Sequence, residues 1–320
     1  MSQGVKIALV VAAALILTGS VIFCCAMAVI KWDFSELATS KIVTSTYDIT
    51  DAFKDISVNV DTADVVILPA ADGKCKVVCD ERENAKHTVQ VVNEKLSISL
   101  NSSEKWYEKF GINFGQTKIT VYLPEGMYGA LTVVLSTGDV EITQDKHFES
   151  IDVTGSTGDV KNYASATGAI KICLSTGSIF TENISAGWCD FSVSTGKIQA
   201  SNINCNGDVA VVVSTGKANL SNLNCVNFQT TGDTGDLTLE NVIASGKISV
   251  KRSTGDVTLD GVDAAELLVN MDTGDVTGVL LSDKVFITKT STGTVDVPQS
   301  VSGGKCEVTT STGDIKLKIK

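Results

Sequence analysis

A Thr-Gly step recurs along most of the chain, at Gly138, Gly158, Gly177, Gly196, Gly216, Gly235, Gly255, Gly274, Gly293 and Gly313, and every gap between them is 19 or 20 residues. A further copy, Thr167-Gly168, falls at half spacing. Ser precedes most copies and Asp follows most of them. A unit this short cannot bury an apolar face alone, so neighbouring copies must share one core. Two residues after each glycine stand Val140, Val160, Ile179, Ile198, Ala218, Leu237, Val257, Val276, Val295 and Ile315. Five residues before stand Val133, Val153, Ile172, Phe191, Val211, Thr230, Val250, Val269, Thr288 and Val308. The first column is apolar in all ten copies and the second in eight, so both line a continuous interior.

Around each glycine the apolar residues alternate with polar ones, as in Phe191-Ser192-Val193 and Leu237-Thr238-Leu239. Period two means strands. The Thr-Gly between two strands is a corner, because glycine takes positive φ without a steric penalty. The spacing therefore predicts an all-β parallel solenoid of about ten coils, with backbone groups pairing between coils about 4.8 Å apart. A propeller needs about 40 residues per blade; the uniform gaps favour the solenoid. Asn183, Asn202, Asn222 and Asn241 make a second column, expected to bond side chain to side chain.

Residues 7–30 carry no charge. As a helix rising about 1.5 Å per residue they cross a hydrocarbon core of about 30 Å. The expected organisation is a short cytoplasmic N-terminus over 1–6, a transmembrane helix over 7–30, a polar stalk over 31–49, an N-terminal β cap over 50–131 and the solenoid over 132–320. The span is read as a signal anchor in the cell membrane, N-terminus inside and body outside. A cleaved signal peptide competes, since Ala26-Met27-Ala28 resembles a cleavage site, but the apolar run exceeds the usual core of roughly 7–15 residues. A lipoprotein site at Cys24 or Cys25 fits less well, because Phe23 stands where a small residue belongs.

Between 50 and 131 the repeat is absent and short strands alternate with turns. A solenoid end is an open sheet edge and needs such a cap. Phe53-x-x-Ile56, Ala63-Asp64-Val65-Val66-Ile67-Leu68-Pro69, Thr120-Val121-Tyr122-Leu123-Pro124 and the Ser-Thr-Gly-Asp-Val runs together resemble the Toastrack-type adhesin group, bacterial β-repeat domains of unknown function. The resemblance covers roughly 50–320. It implies a repeat β fold, membrane attachment and an adhesive or envelope role, and it brings no catalytic residues.

Chemistry is sparse. His87 and His147 fall in no metal or nucleophile spacing and are expected on the surface. Ser194-Thr195-Gly196-Lys197 and Ser214-Thr215-Gly216-Lys217 match the S-x-x-K acylation motif, but both are repeat corners with no companion element. The corner residues Asp236, Asp256 and Asp275 fall in one column, where Ca²⁺ could relieve like-charge repulsion. The favoured reading has each Asp accept backbone N–H groups of its own turn. Seven cysteines lie beyond the span, an odd number. They are expected as buried free thiols, with a Cys205–Cys225 disulfide between neighbouring coils as the alternative.

Trp106, Tyr107 and Phe110 cluster in a connection, either as a contact patch for a partner or membrane surface, or as a plug for the solenoid end. Trp188, in a return loop, carries the same two readings. The net charge of −11 disfavours nucleic acid as a partner. The expected function is a non-enzymatic, membrane-anchored binding or scaffold module without cofactor, its partners the membrane and an envelope protein, cell-wall material or host ligand. An accessory regulator of envelope-stress signalling is the alternative. A carbohydrate-active surface enzyme is the second, and it lacks clustered acid and base residues.

Overall fold

Alternation of apolar and polar residues gives each copy of the repeat one buried face, and stacking those faces builds the molecule. The computed structural model describes residues 2–29, 31–32, 41–100, 115–144 and 146–320. Helix α1 (Gln3–Val29) is, among the described residues, the one helix long and apolar enough to cross a membrane, a description a signal sequence also meets. The remaining regular elements are strands of one parallel β-solenoid of about nine turns with an antiparallel cap.

The N-terminal end contains β1 (Ile42–Ile49), β2 (Asp55–Thr62), β3 (Asp64–Pro69), β4 (Cys75–Arg82), β5 (His87–Val92), β6 (Lys95–Leu100), β7 (Lys118–Leu123), β8 (Met127–Thr137) and β9 (Val140–Ile142). Strands β2 and β3 are the two limbs of one coil. Coil β8–β9 stacks in parallel on one side of it, and coil β6–β7 on the other. The order in space is therefore β6–β7, β2–β3, β8–β9. Antiparallel β5 closes β6, antiparallel β4 closes β7, and β1 adds to β4. Two expected boundaries move. The stalk does not reach residue 49, because Ile42–Ile49 is a strand whose Tyr47 and Ile49 pack on the core. The cap includes two regular parallel coils that lack the Ser-Thr-Gly corner, and the first repeat strand starts at Met127.

The next coils follow sequence order through β10 (His147–Thr157), β11 (Val160–Asn162), β12 (Ser165–Ala166), β13 (Ala169–Ala186), β14 (Trp188–Cys205), β15 (Val209–Cys225), β16 (Phe228–Thr234), β17 (Leu237–Thr254), β18 (Val257–Thr273) and β19 (Val276–Leu280). Val153, Ile172, Phe191, Val211, Thr230, Val250 and Val269 lie side by side and buried, and Val257 pairs directly with Val276. The ten corner glycines have φ between +124° and +150°. A Cβ on Gly196 would overlap the carbonyl oxygen of Gly177 one coil below, so only glycine lets corners stack at sheet spacing.

At the other corner, Asn183, Asn202, Asn222 and Asn241 have φ between +52° and +56°, a conformation asparagine tolerates better than most residues. Their amides form the expected ladder, each Nδ2 donating to the Oδ1 below at 2.9, 3.0 and 3.2 Å. Gly261 takes the next place in the column, with φ +65°, and its lack of a side chain ends the ladder.

The C-terminal end departs from sequence order. Coil β20 (Lys284–Thr292) and β21 (Val295–Asp296) is not stacked on β18–β19. The last coil, β22 (Gly304–Thr312) and β23 (Ile315–Ile319), lies between them. Val295 is consequently in the outermost coil and 44% exposed. Buried Lys284 anchors that outer coil through Nζ, 2.6 Å from Asp263 Oδ1.

Arg252 is a charged exception to the apolar rule of the core. Arg252 points inward, 2% exposed, where neighbouring coils carry Gly232 and Met271. Gly232 makes room for it: a Cβ there would lie 2.7 Å from Nη1. Nη1 donates to Gly235 O at 3.1 Å, while Nε and Nη2 have no protein partner. A buried, half-satisfied cation is a poor substitute for packed apolar volume. Arg252→Met is therefore expected to raise unfolding stability by about 1–3 kcal/mol, read as a higher urea midpoint; a lower midpoint would show that the guanidinium is net stabilising.

Candidate functional site

The corner column brings Asp236, Asp256 and Asp275 together as the repeat requires, and the hydrogen bonding differs from the expected turn. Each Oδ1 accepts the backbone N–H at the same position of the next coil: Asp256 N to Asp236 at 3.2 Å, Asp275 N to Asp256 at 2.9 Å, Asp314 N to Asp275 at 2.7 Å. The pattern extends to the N-terminal end, with Asp139 N on Asp64 and Asp159 N on Asp139. The bond crosses coils because the corner carbonyls and amides already point along the stack. The carboxylates thus act as clasps between rungs.

Cations come from the chain itself. Lys217 Nζ is 2.9 Å from Asp236 Oδ2, and its hydrogen bond holds the Asp236 carboxyl below its usual range. Lys316 Nζ is 2.6 Å from Asp314 Oδ2 and holds that carboxyl down to about 2. In the two S-x-x-K corners, Lys197 donates to Gln199 at 2.9 Å and Lys217 is engaged by Asp236.

The return edge carries a more exposed feature. Trp188 is 45% exposed and borders a groove of about 560 Å³ with Gly187, Gly207, Asp208, Val226 and Asn227. The paired glycines let the coil backbones approach and leave the indole face open. Beneath lie Cys189, Cys205 and Cys225, all buried. All nine cysteines are free thiols, so the alternative Cys205–Cys225 bridge is not formed. Cys205 Sγ instead reaches Asp208 O at 3.5 Å and Gly187 O at 3.6 Å. A hydrogen bond from the Cys189 thiol pulls Cys205 down and pushes Cys189 up. Burial pushes Cys225 up to about 12.

His147 is exposed, as expected, but His87 is not: it is 6% exposed. Its Nδ1 lies 2.9 Å from Oε2 of Glu81, which is fully buried beside Cys79. Burial, then the charges of Glu81 and Asp80, push the Cys79 thiol up to about 12. The spacing Cys79-x-Glu81 on an alternating strand with a histidine past the turn was the available signal, masked by the absence of any familiar motif. Trp106, Tyr107 and Phe110 lie outside the described residues.

A family model described as Toastrack DUF4097 matches residues 53–214 and, a second time, residues 190–320. The chain belongs to the Toastrack DUF4097 family. The two matches together run from Phe53, just before β2, to the end of β23, so the Toastrack region takes in cap coils and repeats alike. Among solved structures, a candidate adhesin from Bacteroides fragilis is similar over 88% of this Toastrack chain and 97% of its own, at 16% identity and a TM-score of 0.40. A candidate lipid-binding protein from Parabacteroides distasonis is similar over 86% and 97%, at 15% identity and a TM-score of 0.43. No curated protein matches the Toastrack chain in sequence.

Proposed function

We propose that this Toastrack protein is a membrane-tethered, extracytoplasmic binding or scaffold module, with α1 as the anchor and the solenoid flank as the contact surface. The observation that carries the reading is Trp188, a large aromatic held in the open on a backbone that cannot yield. Trp188 opens β14 paired with Ala169, and from Cys189 onward the coil is paired on both sides, so the indole is presented without the entropy loss of ordering a loop. Aromatic anchors beside small pockets supply much of the energy at binding surfaces. The polar groups of the corner column are committed to inter-coil bonds, which suits a structural role for that flank. The acidic surface suits neutral or cationic envelope partners over nucleic acid.

The test is pull-down by the full chain in detergent from envelope fractions and cell-wall material. Trp188→Ala is expected to weaken capture by about tenfold or more while leaving the far-ultraviolet circular dichroism unchanged. Capture indifferent to Trp188 would remove the groove from the reading; release of the body from intact cells without proteolysis would remove the anchor.

A further inference from the structure

The antiparallel layer that closes the N-terminal end has its own corner, the turn between β4 and β5. Cys79 and Glu81 are alternate residues of β4 and so face the same way. A tight turn, closed by Ala85 N–H on Arg82 O at 3.0 Å, returns the chain so that β5 opens with His87. Sγ of Cys79, a carboxylate oxygen of Glu81 and a ring nitrogen of His87 all lie within 4.8 Å of one another, and all three residues are buried. Among the described residues no other group of metal-ligating side chains converges in this way.

We propose that Cys79, Glu81 and His87 form a binding site for one borderline-soft divalent cation of the Zn²⁺ class. Sulfur, nitrogen and oxygen donors together are the set such an ion takes. Tetrahedral ligands at about 2.0–2.3 Å stand roughly 3.3–3.8 Å apart, so the cluster needs to open by about half an ångström between Nδ1 and Oε2. A thiolate and a carboxylate carry two negative charges, which a divalent cation cancels inside a buried pocket. Supporting bonds are already in place: Ser45 Oγ donates to Glu81 Oε1 at 2.6 Å and Tyr47 OH donates to His87 O at 3.2 Å. These orient the ligands as an outer shell does. Of the three ligands, His87 also borders a cavity of about 200 Å³, lined by Asp61, Arg82 and Thr117 among others. The bound ion ties β4 to β5 at the corner of the capping layer, where the turn is otherwise held by Ala85 N–H on Arg82 O and by His87 N–H on Glu81 Oε2 at 2.6 Å.

The experiment is titration of the full chain, reduced and metal-free in detergent, with Co²⁺ and then Zn²⁺. One equivalent of Co²⁺ is expected to give a near-ultraviolet thiolate-to-cobalt charge-transfer band that Zn²⁺ displaces. Cys79→Ser is expected to abolish the band and weaken Zn²⁺ binding by at least about tenfold. Cys205→Ser, which removes a thiol from the other buried cluster, is expected to leave both unchanged. No band in the native chain, or a band lost in Cys205→Ser and kept in Cys79→Ser, overturns the site. Should Cys79→Ser lose its β-sheet dichroism, the native and Cys205→Ser titrations decide: a one-equivalent band in both supports the site, and its absence in either overturns it.

Discussion

Gly216→Ala is expected to destabilise the solenoid by roughly 4 kcal/mol, summing backbone strain and forced overlap. Gly216 has φ +133°, and its added Cβ would meet the carbonyl oxygen of Gly196 directly below. Neither backbone can retreat, because Thr215, Gly216 and Lys217 are paired in register with Thr195, Gly196 and Lys197. Gly73→Ala separates the two contributions: φ there is +68° with open space around the new methyl, so only the strain remains, about 1–2 kcal/mol. Repeat stacks can open locally, so the urea midpoint is best read with hydrogen exchange over residues 188–240. A Gly216→Ala midpoint equal to that of Gly73→Ala would mean that the corners tolerate a Cβ, against the stacking geometry.

Deleting residues 304–320 is expected to release residues 284–296 from the fold. Among the described residues β20 pairs with β22 and β21 with β23, and with no other strand. Without β22–β23 the outer coil loses its whole ladder, and the Lys284–Asp263 ion pair is left as a tether. Opening free energies for those amides should fall from several kcal/mol to about zero, with rapid exchange and new proteolysis at Lys284 and Lys289. A solenoid stacked in sequence order gives the opposite result, since its last coil could be removed with the one before it still paired to β18–β19. Retained protection over 284–296 would therefore point to re-pairing onto the freed edge of β18–β19.

Much of the candidate surface was legible before any coordinates, because a repeat converts sequence spacing into neighbours in space. The asparagine ladder and the column of Asp236, Asp256 and Asp275 follow from spacing alone. The bonding partner of each aspartate did not, because an Asp beside a turn reads locally, whereas the free N–H it meets belongs to the next coil. The strand Ile42–Ile49 reads as a polar stretch because its partner, β4, is distant in sequence. His87 reads as a surface residue for a similar reason: the hydrogen bonds that make its burial tolerable come from Glu81 across a turn, and no motif announces them.

By itself the sequence determined the rung: strands from period two, corners from glycine, and a shared interior from two apolar columns repeated every 19 or 20 residues. Only the tertiary structure decided which rung lies on which. At both ends a coil early or late in the chain sits one place inside the stack, β2–β3 under β6–β7 and β22–β23 under β20–β21. The physical reason is the repeat's own uniformity. Each rung offers its neighbours a similar ladder of N–H and C=O groups and similar apolar columns, so stacking in or out of sequence order satisfies those local rules about equally well. The choice falls to connection lengths and to single contacts such as Lys284 with Asp263.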